Sequence, residues 1–99
     1  MQRYINKATG DEVEAVQLTP QNIHEVADWC TGQEVEEIDA LDNTATYVGL
    51  NFLSWNGAIR ASEGDYIIKD GLGTFHSRWP HAFEENFEKV GNDATNSEG

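Results

Sequence analysis

Ninety-nine residues, 38% of them apolar and including three Trp, three Tyr and four Phe, suffice for one domain with a core of its own. Eighteen acidic residues oppose six basic ones, a net charge of −12. That balance argues against direct contact with nucleic acid or an anionic membrane, both of which are gripped by Lys and Arg.

No apolar run of eighteen residues occurs, so no spanning helix is expected. The opening Met-Gln-Arg-Tyr-Ile-Asn-Lys leads into no apolar stretch with a small-residue cleavage site, so a secretory signal is not expected either. The single Cys30 excludes an internal disulfide and fits a reducing, cytosolic compartment.

Residues 3–7 and 12–18 read as strands; in the second, Glu12 to Leu18 alternates imperfectly, as a strand with one wet face does. Thr19-Pro20 opens a helix over 20–31. Thr19 supplies a capping hydroxyl, and Pro20 suits a first-turn position whose N–H would be unpaired in any case. Ile23, Val26, Ala27 and Cys30 then recur at i, i+3, i+4 and i+7 as one apolar stripe, and Gly32 is expected to end the helix in a left-handed conformation.

Val35 and Ile38 suggest a short, charged edge strand within 34–41, followed by a turn at Asp42-Asn43. Thr46 to Leu53 is β-branched and aromatic, and Asn56-Gly57 predicts a tight hairpin turn into Ala58-Ile59-Arg60. A second hairpin joins Tyr66–Lys69 to Thr74–Arg78 through Asp70-Gly71-Leu72-Gly73. Pro80 opens a short helical turn over 80–85, and Asn86–Val90 alternates well enough to return to the sheet. The polar stretch 91–99 is expected to be a disordered tail. The fold class is therefore α+β: a single domain over 1–90, with a mostly antiparallel sheet, one amphipathic helix and a short C-terminal helical turn.

The residues that could carry chemistry do not assemble into a motif. His24 and Cys30 are six apart and lie on different helix faces, whereas His76 and His81 straddle Trp79-Pro80 with no second ligand pair beside them, so no metal site is expected. Cys30 belongs to the apolar stripe and has no sequence-adjacent base to activate it. The many carboxylates single out no acid–base pair, and Gly71-Leu72-Gly73 is a hairpin turn with no Lys-Ser/Thr after it. No catalytic residue and no cofactor are assigned, and the protein is not expected to be an enzyme.

Charge is distributed unevenly. No Lys or Arg lies between Lys7 and Arg60, while Asp11, Glu12, Glu14, Glu25, Asp28, Glu34, Glu36, Glu37, Asp39 and Asp42 all fall there. Glu34, Glu36, Glu37, Asp39 and Asp42 are the candidate contact residues for a basic protein partner, one reached by charge complementarity or by imitation of nucleic acid. Trp55, placed beside the expected hairpin turn, is the sixth candidate, because exposed Trp is enriched among interface anchors.

Val13-Glu14-Ala15-Val16-Gln17-Leu18-Thr19, the helix end Asp28-Trp29-Cys30, and Gly64-Asp65-Tyr66-Ile67-Ile68-Lys69 followed by Gly73-Thr74-Phe75, Pro80, Phe83 and Phe87 together resemble a family of short bacteriophage and prophage proteins of unassigned function. The resemblance spans residues 12–90. Its positions are turn glycines, sheet aliphatics and core aromatics, so it implies architecture and a phage source and transfers no catalytic residue. Trp79-Pro80-His81 and the acidic 34–42 segment are not features of that family. The expected function is a small acidic accessory phage protein that binds another protein, host or phage, in the host cytoplasm and inhibits a basic or nucleic-acid-binding partner. The alternatives are a structural or homo-oligomeric phage component and a protein that sequesters a small molecule.

Overall fold

In the computed structural model, which describes residues 1–55 and 57–90, the expected elements form in the expected order. They are β1 (Gln2–Asn6), β2 (Glu12–Gln17), α1 (Ile23–Cys30), β3 (Gln33–Ile38), β4 (Ala45–Ser54), β5 (Gly57–Ser62), β6 (Tyr66–Lys69), β7 (Phe75–Arg78), α2 (Pro80–Asn86) and β8 (Phe87–Lys89). The domain is α+β, and every strand pairing is antiparallel. The strands divide between two sheets, one of five in the order β7-β6-β2-β1-β8 and one of three in the order β3-β4-β5. The expected tail, 91–99, lies outside the described residues, as does Asn56. Among the described residues no helix is long and apolar enough to cross a membrane.

α1 forms because its stripe has somewhere to go: Ile23, Val26, Ala27 and Cys30 are all buried. The regular helix starts at Ile23 rather than at 20. Thr19 and Asn22 tie off the lead-in turn between themselves, the Asn22 N–H donating to the Thr19 hydroxyl at 3.2 Å and the Thr19 N–H to Asn22 Oδ1 at 2.9 Å. At the other end Thr31, not Gly32, takes the left-handed conformation, with φ 55°. Gly32 is needed for a different reason. A Cβ there would lie 2.9 Å from the Asn51 carbonyl oxygen and 3.0 Å from Cys30 Sγ, where the chain leaving α1 crosses β4.

Two cores lie on opposite faces of the five-stranded sheet. On one face Leu18 and Ile67 pack with Ile23, Val26, Ala27 and Cys30 of α1 and with Leu50, Phe52 and Ala61 of the smaller sheet. On the other, Ala15, Ile68 and Phe83 are buried, with Tyr4, Val13, Tyr66 and Phe87 packed around them. Ile67 and Ile68 are consecutive in β6, so their side chains point to opposite faces and each enters a different core.

α2 begins as the sequence predicts, with Pro80 in its first turn after an extended Trp79. Its one buried residue, Phe83, stacks on Tyr66 (ring centroids 4.0 Å apart, 12° between planes) and on Phe87 (4.7 Å, 9°), and meets Tyr4 edge-on at 4.8 Å. The β4–β5 hairpin differs from expectation. Ser54 pairs with Gly57, which places Gly57 at the start of β5 rather than in the turn. In β4, Gly49 runs so close to β5 that a Cβ on it would sit 2.5 Å from the Ala61 carbonyl oxygen.

Replacing Gly49 by Ala should therefore destabilise the fold by about 2 kcal/mol, the scale of a forced overlap in a packed interior. Gly71→Ala, which meets nothing within 4 Å, should leave stability nearly unchanged. Urea unfolding of the two variants side by side checks the difference.

Candidate functional site

The six residues expected to contact a partner do not form one surface. Glu34 faces inward, paired in register with the buried Leu50, and its carboxylate meets His24 of α1. Between Val35 and Glu36 the register shifts, Val35 facing Gly49 and Glu36 facing Tyr47, so that β4 carries one extra residue, Val48; beyond that bulge Glu36 and Glu37 are both exposed. Their side chains make no hydrogen bond or ion pair among the described residues. Asp39 and Asp42 serve the loop that joins β3 to β4. Asp39 Oδ1 accepts the Leu41 N–H at 2.8 Å, and Asp42 Oδ1 accepts both the Thr44 hydroxyl at 2.7 Å and the Thr44 N–H at 3.1 Å. Those two bonds from Thr44, the hydroxyl's first, hold the Asp42 carboxyl below the ordinary carboxylate value.

Trp55 lies at the far end of β4 from these acids. Ten residues of strand separate them, about 30 Å at the usual rise per residue. Trp55 is 77% exposed, and Leu53, two residues earlier on the outer face, is 74% exposed and opposite the exposed Ala58. The smaller sheet thus has an acidic end, at Glu36, Glu37 and the 39–44 loop, and an apolar end, at Leu53, Ala58 and Trp55.

A second feature was not expected. α2 is only seven residues long and covers the sheet around Tyr4, Ala15 and Tyr66. Beyond it, the same sheet face is left open as a cleft of about 540 Å³ between the β1–β2 and β6–β7 hairpins. Val13, Ile68 and Phe87 supply its apolar surface, and Asn6, Asp11, Glu12, Asp70, His76 and Arg78 its polar one.

Asp70 organises the β6–β7 side of the cleft. Its Oδ1 accepts the N–H groups of Leu72 and Thr74, both at 2.9 Å, and its Oδ2 lies 2.8 Å from His76 Nε2. Burial is the largest single influence on this carboxyl and pushes its pKa up, but the hydrogen bonds from His76, Thr74 and Leu72 together hold it below the ordinary value. An ionised carboxylate only accepts, so His76 Nε2 carries the proton in this pair. Among the described residues that line the cleft there is no hydroxyl or thiol side chain. Among the described residues no group of three His, Cys, Asp or Glu side chains could hold a metal ion.

The chain matches no protein-family profile, no curated protein and no solved structure.

The Asp70–His76 pair has no sequence signature. The two residues are six apart, and only the turn between β6 and β7 brings them together. The one available clue was Asp-Gly-Leu-Gly, in which an Asp opening a hairpin turn is well placed to bond backbone N–H groups two and four residues on.

Because the folded-state pKa of Asp70 lies below its unfolded value, its stabilising contribution is present above about pH 4 and is lost as pH falls through the folded value. Asp70→Asn should accordingly be less stable than wild type at neutral pH by about 1–2 kcal/mol, the scale of weakened hydrogen bonds to a charged acceptor. The gap should close on acidification below about pH 4. Thermal melts of both proteins at neutral and acid pH check this.

Proposed function

We propose that this protein acts by binding another protein, in the cytoplasm of a phage-infected cell, through the outer face of its three-stranded sheet. The carrying observation is the pair Leu53 and Trp55, two large apolar side chains about three-quarters exposed at one end of that face. Single exposed apolar residues are ordinary on a protein surface; a Trp and a Leu side by side with Ala58 form the kind of anchor that fills a partner's pocket. Glu36 and Glu37, exposed and unpaired at the other end, supply a long-range field that favours a basic partner, and the net charge of −12 strengthens it.

The two ends have different roles in this reading. The acidic end speeds encounter and is screened by salt; the apolar end holds the complex once formed. The resemblance of residues 12–90 to short phage proteins supports the infected-cell setting, and a basic, nucleic-acid-binding protein is the partner class that this charge suits. The role is one of occupancy rather than catalysis, since inhibition of such a partner needs only that its surface be covered.

Purified protein used as bait against host lysate should retain a partner at low salt and release more of it as salt rises. Against that partner, Trp55→Ala should weaken binding by about thirtyfold, the effect of removing a 2 kcal/mol anchor. The double variant Glu36→Gln, Glu37→Gln should instead slow association and flatten the salt dependence. Recovery of no partner at low salt, or a Trp55→Ala protein that binds as wild type, contradicts the proposal. Self-association abolished by Trp55→Ala would point instead to a homo-oligomeric component using the same patch.

A further inference from the structure

The outer face of the three-stranded sheet carries a single cation. Leu50, Phe52 and Ala61 point into the core, so Gly49, Asn51 and Leu53 of β4 and Ala58, Arg60 and Ser62 of β5 lie on the outer side. Arg60 is the only Lys or Arg between Lys7 and Lys69. Arg3 meets Glu12 at 3.8 Å, and Arg78 donates to the Ser77 carbonyl at 3.0 Å. Arg60 does neither: it is exposed, and among the described residues its guanidinium makes no hydrogen bond or ion pair.

The side chain nonetheless has a seat. Arg60 is paired in register with Asn51, but its stem leans along the sheet towards Gly49, where Nε lies 3.1 Å from the place a Gly49 Cβ would occupy. The glycine that lets β4 run close to β5 thus also keeps this stretch of surface open for the arginine. With no partner among the described residues, the planar fork of N–H donors is available to an anion. The apolar group of Leu53, Ala58 and Trp55 occupies the other end of the same face. Beside Leu53 opens a hollow of about 380 Å³, bounded by Gly32, Gln33, Asn51 and Ala58. Leu53 and Gly49 are four residues apart in β4, about 13 Å at the usual rise.

Net charge alone does not choose among basic partners, because its field draws all of them. An interface that covers Arg60 does choose. It repels a Lys or Arg set against the guanidinium and favours a carboxylate, which accepts two parallel bonds from it. We infer that this face selects an extended segment of its partner that carries a large apolar side chain and, four residues from it, an Asp or Glu, with the apolar group on Leu53 and Ala58 and the carboxylate on Arg60. Residues four apart in an extended chain lie on one side, about 13 Å from each other, the interval that separates Leu53 from Gly49. The inference rests on the protein-binding role proposed above, and adds to it a local demand for negative charge within a partner that is basic as a whole. A second copy of this chain suits the face less well, since two bodies of charge −12 repel each other.

The test is a selection of random seven-residue peptides, displayed on filamentous phage, against the immobilised full chain. Enrichment of peptides with an apolar residue four positions from an Asp or Glu is expected. Arg60→Ala should weaken a selected peptide about tenfold, the effect of one lost charge-assisted hydrogen bond, and Arg60→Lys should weaken it less. Selection against Arg60→Glu should bring Lys or Arg to the position the acid held. Peptides that carry the apolar residue without an acid, are weakened by Trp55→Ala and are indifferent to Arg60→Glu overturn the inference and leave the apolar anchor standing. Enriched peptides indifferent to both variants contradict the anchor as well. A selection that enriches nothing overturns the inference. Self-association of the free protein that Arg60→Glu abolishes overturns it too, since the face would then belong to a second copy.

Discussion

The structure depends on one strand pair, β2 against β6, which stands between two cores. Ala15 lies opposite Ile68 and Val16 opposite Ile67, so each strand sends one residue into each core. Burying an isoleucine contributes about 1.5–3 kcal/mol, and β6 buries two in succession, on opposite faces. A register slip of one residue would exchange the faces of every side chain in the strand, sending each into the wrong core. On one face that pair receives α1 and the smaller sheet; on the other it receives Phe83 and its three aromatic neighbours. Among the described residues no other element buries a side chain in both cores.

The surfaces available for function follow from how incompletely this double wall is covered. α2 has one buried residue and seven in all, so it shields the aromatic cluster and stops, leaving Val13 and Ile68 as the floor of a cleft. The smaller sheet buries Leu50, Phe52 and Ala61 of its inner face against α1, Leu18 and Ile67, but β4 runs for ten residues and exceeds the core at both ends. One overhang is the acidic 39–44 loop, in which two carboxylates serve as turn acceptors. The other carries Leu53 and Trp55. The protein thus presents polar and apolar groups at its margins while its buried aromatics remain in the scaffold.

Much of this was legible in the residues because local signals and tertiary packing agree. The stripe Ile23, Val26, Ala27, Cys30 is a helix because a core waits for it, and Pro80 opens a helix because Phe83 three residues on has a stack of rings to enter. Where the two diverge, the sequence was silent or misleading. Gly32 looked like a left-handed terminator, yet Thr31 takes that conformation and Gly32 is needed for its closeness to Asn51. Asn56-Gly57 looked like the turn, yet Gly57 pairs with Ser54. The division into two sheets rests on long-range contacts that no periodicity reports. A register shift opposite an extra residue in β4 separates Glu34, paired with the buried Leu50, from the exposed Glu36 and Glu37, and no single residue in that acidic run announces it. The cleft was invisible because it is an absence of cover, set by how far a seven-residue helix reaches.

Amide hydrogen exchange, resolved by residue under native conditions, tests the central role of the β2–β6 pair most directly. If that pair is the wall on which both cores rest, the amides of Ala15, Val16, Ile67 and Ile68 that are bonded within the sheet open only with global unfolding and exchange slowest. The β3 amides and the loop after it then exchange far faster, because that edge can open without disturbing either core. Slowest exchange in β3 and β4, with β2 and β6 opening earlier, would contradict the account.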